Sequence, residues 1–501
     1  MSKKTNILLG FLSLMLLLPL TVKAQPKYEV RAAWVTTAYG LDWPRTRATS
    51  PATMKRQQQE LIEILDKLKA AHFNTVLFQA RTRGDVLYRS DIEPMNSVLT
   101  GKKYGDPGYD PLAFAVEECH KRGMECHAWM VTLPLGNRKH VNYLGARSVT
   151  KTHRNICVPY GRQWYLNAGN PETKEYLMSL VREVVTRYDV DGVHFDFLRY
   201  PEHARRFPDS YDYNKRSRGR SLEQWRRDNL TEILRYIYGK VKELKPWVKV
   251  STSPVGKYRD TSRYPSRGWN AYHAVYQDVQ GWLGEGIQDQ IYPMMYFRGN
   301  HFYPFALDWQ EQSNGRHIVP GLGIYFLHPS EGNWSLDEIE RQLRFVRTEQ
   351  MAGEAHYRVA FLMDNTQGLY DLLKEEFYTC PALQPAMPWL DNQAPSAPSA
   401  LQVNRRDDGT TSLVWKAAAD NDPSNAPTYV VYASDSLPVD IRNPHYIVAT
   451  GIRDTCFVYA PILPWEGFKH FAVTAIDRYG NESNPCQEGQ PAQKPGNVRK
   501  E

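Results

Sequence analysis

The chain has 501 residues, enough for two domains or for one large barrel with a small module. Its formal charge is +7, and Lys3, Lys4 and Lys23 of an N-terminal leader supply three of those charges; the +4 that remains is too mild to argue for a nucleic-acid partner. None of the six Cys shows the close paired spacing of a zinc site, so no structural metal and no cofactor is expected.

In chain order, basic Lys3 and Lys4 precede an apolar run from Ile7 to Leu20 and then Val22-Lys23-Ala24. This layout predicts a secretory signal peptide over residues 1–24, too short to span a membrane, and hence an exported protein of the periplasm or cell envelope. Residues 27–380 then alternate β-like runs with helix-patterned stretches. The strand candidates are EVRAAWVTT, FNTVLFQAR, ECHAWMVTL, GVHFDFL, VKVSTSP, DQIYPMMYF, HIVPGLGIYF and YRVAFLM. Helical patterns lie between them, one opening with Asn170 as N-cap and Pro171 at the first turn. Eight such units predict an α/β fold, a (β/α)8 TIM-type barrel.

A linker rich in Pro, Ala and Ser is expected over residues 381–398, with a polar tail at 491–501. Between them, residues 399–490 carry short alternating strands. Trp415, Tyr432 and the closing AIDRYGNES resemble a fibronectin type III module, a small immunoglobulin-like sandwich. Cys456 and Cys486 fall in this module, and in an exported chain they have the option of pairing.

Barrel enzymes gather their active sites at the C-terminal ends of the strands. The segment DGVHFDFLRYP is the most informative there. His194 and Asp196 alternate with Val193 and Phe195, which places both polar residues on one face of the fourth strand. A carboxylate in a barrel mouth is costly unless paired or used. Asp196 is therefore the candidate nucleophile or base, and the bland alternative is an ion pair with Arg199 or Arg81. A carboxyl in that role commonly works with a second one as its acid partner. Asp85 is the leading choice, with Glu202, Asp308 and Asp364 as alternatives, and Asp85 has an equally good structural reading in fixing its own loop.

The aromatic content, 31 Tyr and 13 Trp, suits sugar stacking, although rings also fill cores. Candidate substrate contacts are Trp34, Gln79, Arg81, His127, Trp129, Asn167, His194, Arg199, Tyr200, Tyr292 and Tyr296. Arg199 offers a planar fork for an acidic sugar. The basic run from Lys215 to Arg220 lies in the loop after the fourth strand, as a solvated face or an attraction for an anionic glycan.

The barrel resembles the glycoside-hydrolase-like family 10 of exported bacterial proteins. The matching stretches include RAAWVTT, FNTVLFQARTRGDVLYRSDIEP, YGDPGYDPLAFAVEECHKRGMECHAW, WYLNAGNPETKEYL, YDVDGVHFDFLRYP, VKVSTSPVG and DQIYPMMYF. The resemblance implies hydrolysis of a polysaccharide, with peptidoglycan glycan strands as the substrate class. Some relatives carry a second Asp directly after the one matching Asp196, where this chain has Phe197. A remote likeness to family 18 chitinases ends at Leu198, where their acid stands. A non-catalytic glycan-binding envelope protein, or a glycosidase for another polysaccharide, are the competing readings.

Overall fold

The computed structural model describes residues 25–422, 426–461 and 467–489. The expected leader and tail lie outside the described residues. Five parallel strands form first: β1 (Val30–Val35), β2 (Thr75–Arg81), β3 (Glu125–Val131), β4 (Gly192–Asp196) and β5 (Lys249–Thr252). Two more are broken by proline, which cannot donate to a ladder. β6 consists of Gln290–Ile291 and Met294–Met295 around Pro293, and β7 of His317–Ile318 and Gly321–Leu322 around Pro320. β8 (Gly353–His356) pairs with β7 and, with Ala355 opposite Ala32, with β1. Every neighbour in sequence is thus a parallel neighbour in space, and the sheet closes into a TIM-like barrel.

Both faces of these strands are covered, which explains their nearly continuous apolar sequence. Trp34, Leu77, Trp129, Tyr292, Val319 and Ala355 fill the lumen. The alternate residues Ala33, Val76, Phe78, Ala128, Met130, Val193 and Phe195 join the core beneath the helices. Two glycines make room in the lumen: a Cβ at Gly192 would lie 2.7 Å from His127 Nδ1, and one at Gly321 would lie 2.8 Å from the Trp34 ring.

The outer helices start where capping chemistry dictates. Ser50 and Thr53 cap each other's backbone at Pro51–Ala70, and Asp110 accepts from Leu112 and Ala113 at Pro111–Lys121. Ser221 and Ser335 cap Leu222–Leu244 and Leu336–Thr348. At Glu172–Arg187, Asn170 Oδ1 accepts from the amide of Glu172 at 3.0 Å, one residue outside the cap position.

The eighth strand differs from expectation. YRVAFLM is not a strand; Val359–Met363 is a short helix, and the strand is GEAH just before it. Glu354 and His356 point away from the lumen into a buried polar cluster with Tyr378, so this strand carries no apolar run to announce it.

After the barrel come two small antiparallel sheets. Ser399–Arg405, Thr411–Lys416 and Cys456–Tyr459 form one; Ile447–Ile452, Thr428–Ser434, His470–Ile476 and Cys486–Gln487 form the other. Leu413, Trp415, Tyr429, Val431, Phe471 and Val473 share one apolar core between them. Cys456 and Cys486 lie in different sheets and are unbridged.

These sheets dock at the N-terminal ends of the barrel strands. Asp189 accepts from Arg453 at 3.0 Å and Arg478 at 2.8 Å, and Glu482 binds Lys27 and the Tyr28 hydroxyl. The segment expected to be a linker is partly built into this floor. Leu383 bridges to Tyr28, Gln384 donates to Thr75 Oγ1 at 2.7 Å, and Trp389 donates to Asp289 at 3.0 Å. A cavity of about 330 Å3 lined by Glu125, Lys249, Trp247, Leu383, Arg453 and Arg478 lies at this end, opposite Asp196.

Candidate active site

The inward face of β4 carries His194 in the middle of the lumen and Asp196 at its mouth. The Trp34 indole N–H donates to His194 Nε2 at 3.3 Å, and an indole nitrogen can only donate. His194 Nδ1 therefore carries the proton and donates to Ser251 Oγ at 2.9 Å. Burial pushes the imidazole well below its ordinary value, so it is neutral and acts as a lumen brace.

Asp196 is 7% exposed and makes no ion pair among the described residues. Its Oδ1 accepts from the Phe197 amide at 2.7 Å and Ser253 Oγ at 3.1 Å, and its Oδ2 accepts from the Trp129 indole at 3.3 Å. Burial raises its pKa; nearby Arg199 and the three donors oppose that rise without cancelling it. A carboxyl held in this way is ready to exchange a proton.

The surroundings are aromatic. Tyr296 and Tyr357 stack with centroids 5.5 Å apart, and Tyr325 meets each edge-on. Burial and then neighbouring groups including Asp196 push both phenols, Tyr296 and Tyr357, above their usual range. On the other side Arg199 lies over the Phe197 ring at 4.7 Å. Its buried Nε has no hydrogen-bond partner, and burial lowers its pKa against the pull of Asp196, Glu202 and Tyr165. Phe197 is 37% exposed and turns the chain with φ +53°, so its side chain leaves the lumen rather than standing beside Asp196.

Several expected contacts prove to be structural. Arg81 is fully buried and binds Glu93 through two bonds of 2.8 and 2.7 Å. This removes it from both the substrate and Asp196. His127 Nε2 pairs with Glu125 at 2.9 Å on the lumen floor. Asn167 donates to Asp212 at 2.8 Å and accepts from Gly169, which folds its loop. Tyr200 packs outside the barrel against Phe207 and Tyr276, and Tyr292 and Trp34 fill the lumen. Gln79 Oε1 accepts from the amides of Thr37 at 3.0 Å and Ala38 at 2.8 Å, pinning the loop after β1. Trp129, Arg199 and Tyr296 keep places around Asp196.

Among the proposed second carboxyls, Asp85 is 2% exposed and bonded to Thr82 Oγ1 and the Arg83 amide, with His140 Nε2 at 3.7 Å. That is the loop-fixing arrangement. Asp308 accepts from Gln280 on the outer helix Tyr303–Glu311. Asp364 and Glu202 are exposed, and Glu202 shares the electrostatic field of Arg199 with Asp196. Asp42 is locked by Arg358 and the amides of Thr36 and Ala360. Among the described residues, no group of three or more His, Cys, Asp and Glu could hold a metal ion. Tyr357 was hidden from sequence reasoning by the misplaced eighth strand, and Tyr165 gave no periodic signal.

The fold is a TIM-like barrel, and the mouth of β4 holds a buried carboxyl that makes no ion pair among the described residues. The family model for glycosyl hydrolase-like 10 matches residues 29–325, and the chain belongs to that family. Its similarity to glycosyl hydrolase YngK of Bacillus subtilis (strain 168) is 31% identity over 490 residues, covering 93% of this chain and 94% of that protein. To glycosyl hydrolase DigH of Escherichia coli (strain K12) it is 35% over 298 residues, covering 56% and 68%. Among solved structures, the glycoside hydrolase domain of PgaB (BpsB) from Bordetella bronchiseptica aligns with a TM-score of 0.47 at 13% identity, covering 70% of this chain and 99% of that domain.

Proposed function

We propose that the protein is an exported glycoside hydrolase that cleaves glycosidic bonds in bacterial peptidoglycan strands, with Asp196 as its central acid–base group. The observation that carries the reading is Asp196 itself: buried, raised in pKa, without an ion pair among the described residues, and ringed by Trp129, Ser253, Tyr296 and Tyr357. A structural carboxylate in such a place would be neutralised by an arginine; this one is left able to take up and release a proton.

Asp196, whose carboxyl pKa burial raises against the pull of Arg199 and its hydrogen-bond donors, serves as nucleophile or base. Glu202 is the preferred second carboxyl, since Asp85 is committed to its own loop. The Arg199 guanidinium feels the charge of both Asp196 and Glu202. The half-buried Tyr296–Tyr357 pair supplies flat faces for pyranose rings. The C-terminal sheets are read as a fibronectin type III-like module that docks the barrel floor and takes no part in chemistry. Export rests on the leader over residues 1–24, with the periplasm or cell envelope as destination.

The test is to incubate the pure protein with peptide-stripped peptidoglycan and with neutral polysaccharides, and to analyse the products by mass. Oligosaccharides released from the first by wild type but not by Asp196→Asn support the proposal. Binding without release identifies a non-catalytic envelope protein, and release from a neutral polysaccharide alone identifies a different glycosidase.

A further inference from the structure

The positive charge of this chain is not spread over its surface. Residues 132–171, the excursion after β3, contain six Arg or Lys and no Asp or Glu. Residues 197–220, after β4, contain seven against three. Together these two segments carry a net +10 where the whole chain carries +7, so the remainder is net acidic. Both emerge at the C-terminal ends of their strands, the end that holds Asp196.

The structure brings them together. Pro134–Asn137, Cys157–Tyr160 and Gln163–Leu166 form a small antiparallel sheet with Gln163 opposite both Asn137 and Tyr160. Arg162 at the hairpin turn therefore lies beside Arg138 and Lys139, which open the helix after Asn137. Across the hairpin, the Tyr160 hydroxyl donates to the carbonyl of His203, and Tyr160 and Tyr165 both meet the Phe207 ring. This sets Arg205 and Arg206 against the same hairpin. All five cations are exposed and form no ion pair among the described residues. Elsewhere exposed cations commonly pair, as Arg187 does with Asp91, Arg235 with Glu285 and Arg263 with Glu311. Tyr165 stands on the middle strand of this sheet, packed edge-on against Phe207.

We infer that Arg138, Lys139, Arg162, Arg205 and Arg206 form an exosite for a linear glycan bearing repeated carboxylates, at the same end of the barrel as Asp196. Unpaired like charges held side by side repel one another and are stabilised when a polyanion displaces their counterions. A stripe with half-buried Trp164 and Tyr165 beside it suits a polymer of sugar rings and carboxylates. The inference deepens the proposed glycosidase reading and rests on the same mouth, but it concerns binding and is measurable without turnover.

The experiment uses full-length protein carrying Asp196→Asn, to prevent cleavage. Binding of peptide-free peptidoglycan strands is compared with binding of the same strands after carbodiimide amidation of their carboxylates, across a salt series. Native strands are expected to bind at least about tenfold more tightly than amidated ones at low salt, with the gap closing as salt screens it. Adding Arg162→Ala, Arg205→Ala and Arg206→Ala is expected to lower affinity by a similar factor and flatten the salt dependence. In an otherwise wild-type chain the same triple variant should leave turnover of a short glycan unchanged. Equal affinity for native and amidated strands in the Asp196→Asn protein overturns the inference, whatever the fate of the variant. So does single-stranded DNA of matched length that binds as tightly as the glycan. If wild type cleaves nothing yet binding depends on carboxylates, the glycosidase reading fails and the exosite stands.

Discussion

The Arg81–Glu93 pair offers a sharp test of how the mouth is held. Both side chains are fully buried, joined by two bonds of 2.8 and 2.7 Å. Arg81 also donates to the carbonyls of Val131 and Thr132, and the Tyr176 hydroxyl donates to Glu93 at 2.6 Å. The network ties the top of β2 to the top of β3 and to the helix Glu172–Arg187. Glu93→Gln leaves the guanidinium buried without its counter-charge, which costs about 3–5 kcal/mol. At roughly 2 °C per kcal/mol for a domain this large, the barrel's Tm should fall by about 6–10 °C. Replacing the whole network, as Arg81→Met, Glu93→Leu and Tyr176→Phe together, removes the charges with their partners and should recover most of that loss, because two carbonyls alone remain unsatisfied. Differential scanning calorimetry of wild type and the two variants measures both effects. A loss below about 2 °C for Glu93→Gln, or a raised KM for glycan with unchanged stability, would refute the reasoning and return Arg81 to the substrate.

Asp196→Asn should reduce cleavage by about 10²–10⁴-fold, the usual scale for a proton-transfer group. Its effect on stability has a definite sign: the folded pKa is raised above the ordinary 3.8, so the stability Asp196 contributes is fully present below pH 3.8 and is lost as pH rises through the folded value. Thermal melts should therefore show the variant gaining on wild type above that value and losing the advantage in acid; a constant difference at all pH values contradicts the raised pKa. Tyr296→Leu and Tyr357→Leu should each raise KM more than they lower kcat, by about tenfold if one sugar ring is lost from its stacking partner. On the floor, Gly123 and Gly451 meet back to back, and a Cβ at Gly123 would lie 2.5 Å from the carbonyl of Thr450. Gly123→Val should undock the C-terminal sheets and expose residues 389–398 to protease while the barrel keeps its melting transition; unchanged digestion would show that the contact is dispensable.

Much of this architecture was legible because its patterns are strong. The outer helices announce themselves through their apolar periodicity, although the cap at Glu172–Arg187 falls one residue after Asn170, and the alternation in GVHFDF places Asp196 on the inner face. β8 was illegible for a physical reason: its outward residues Glu354 and His356 are polar and meet Tyr378, so the apolar run VAFLM nearby attracted the assignment. Tyr357 went unnoticed with it. Arg81 shows a different limit. An arginine buried against Glu93 and one facing a substrate have the same sequence signature, and burial alone separates them. Asn167, Tyr200 and Asp85 belong with it, each consumed by hydrogen bonding or packing that no spacing reveals. Conversely, the charge imbalance after β3 and β4 is visible in the sequence, but its gathering into one stripe depends on the hairpin whose Tyr160 and Tyr165 hold the segment from His203 to Phe207.

The most direct measurement of the central claim is product analysis in isotopically labelled water. Peptide-free glycan strands digested in H2¹⁸O should yield oligosaccharides whose new reducing ends are heavier by the two mass units of the isotope, at a rate that collapses in Asp196→Asn. Products without the label, or labelled products formed equally fast by the variant, would contradict hydrolysis at a site built around Asp196.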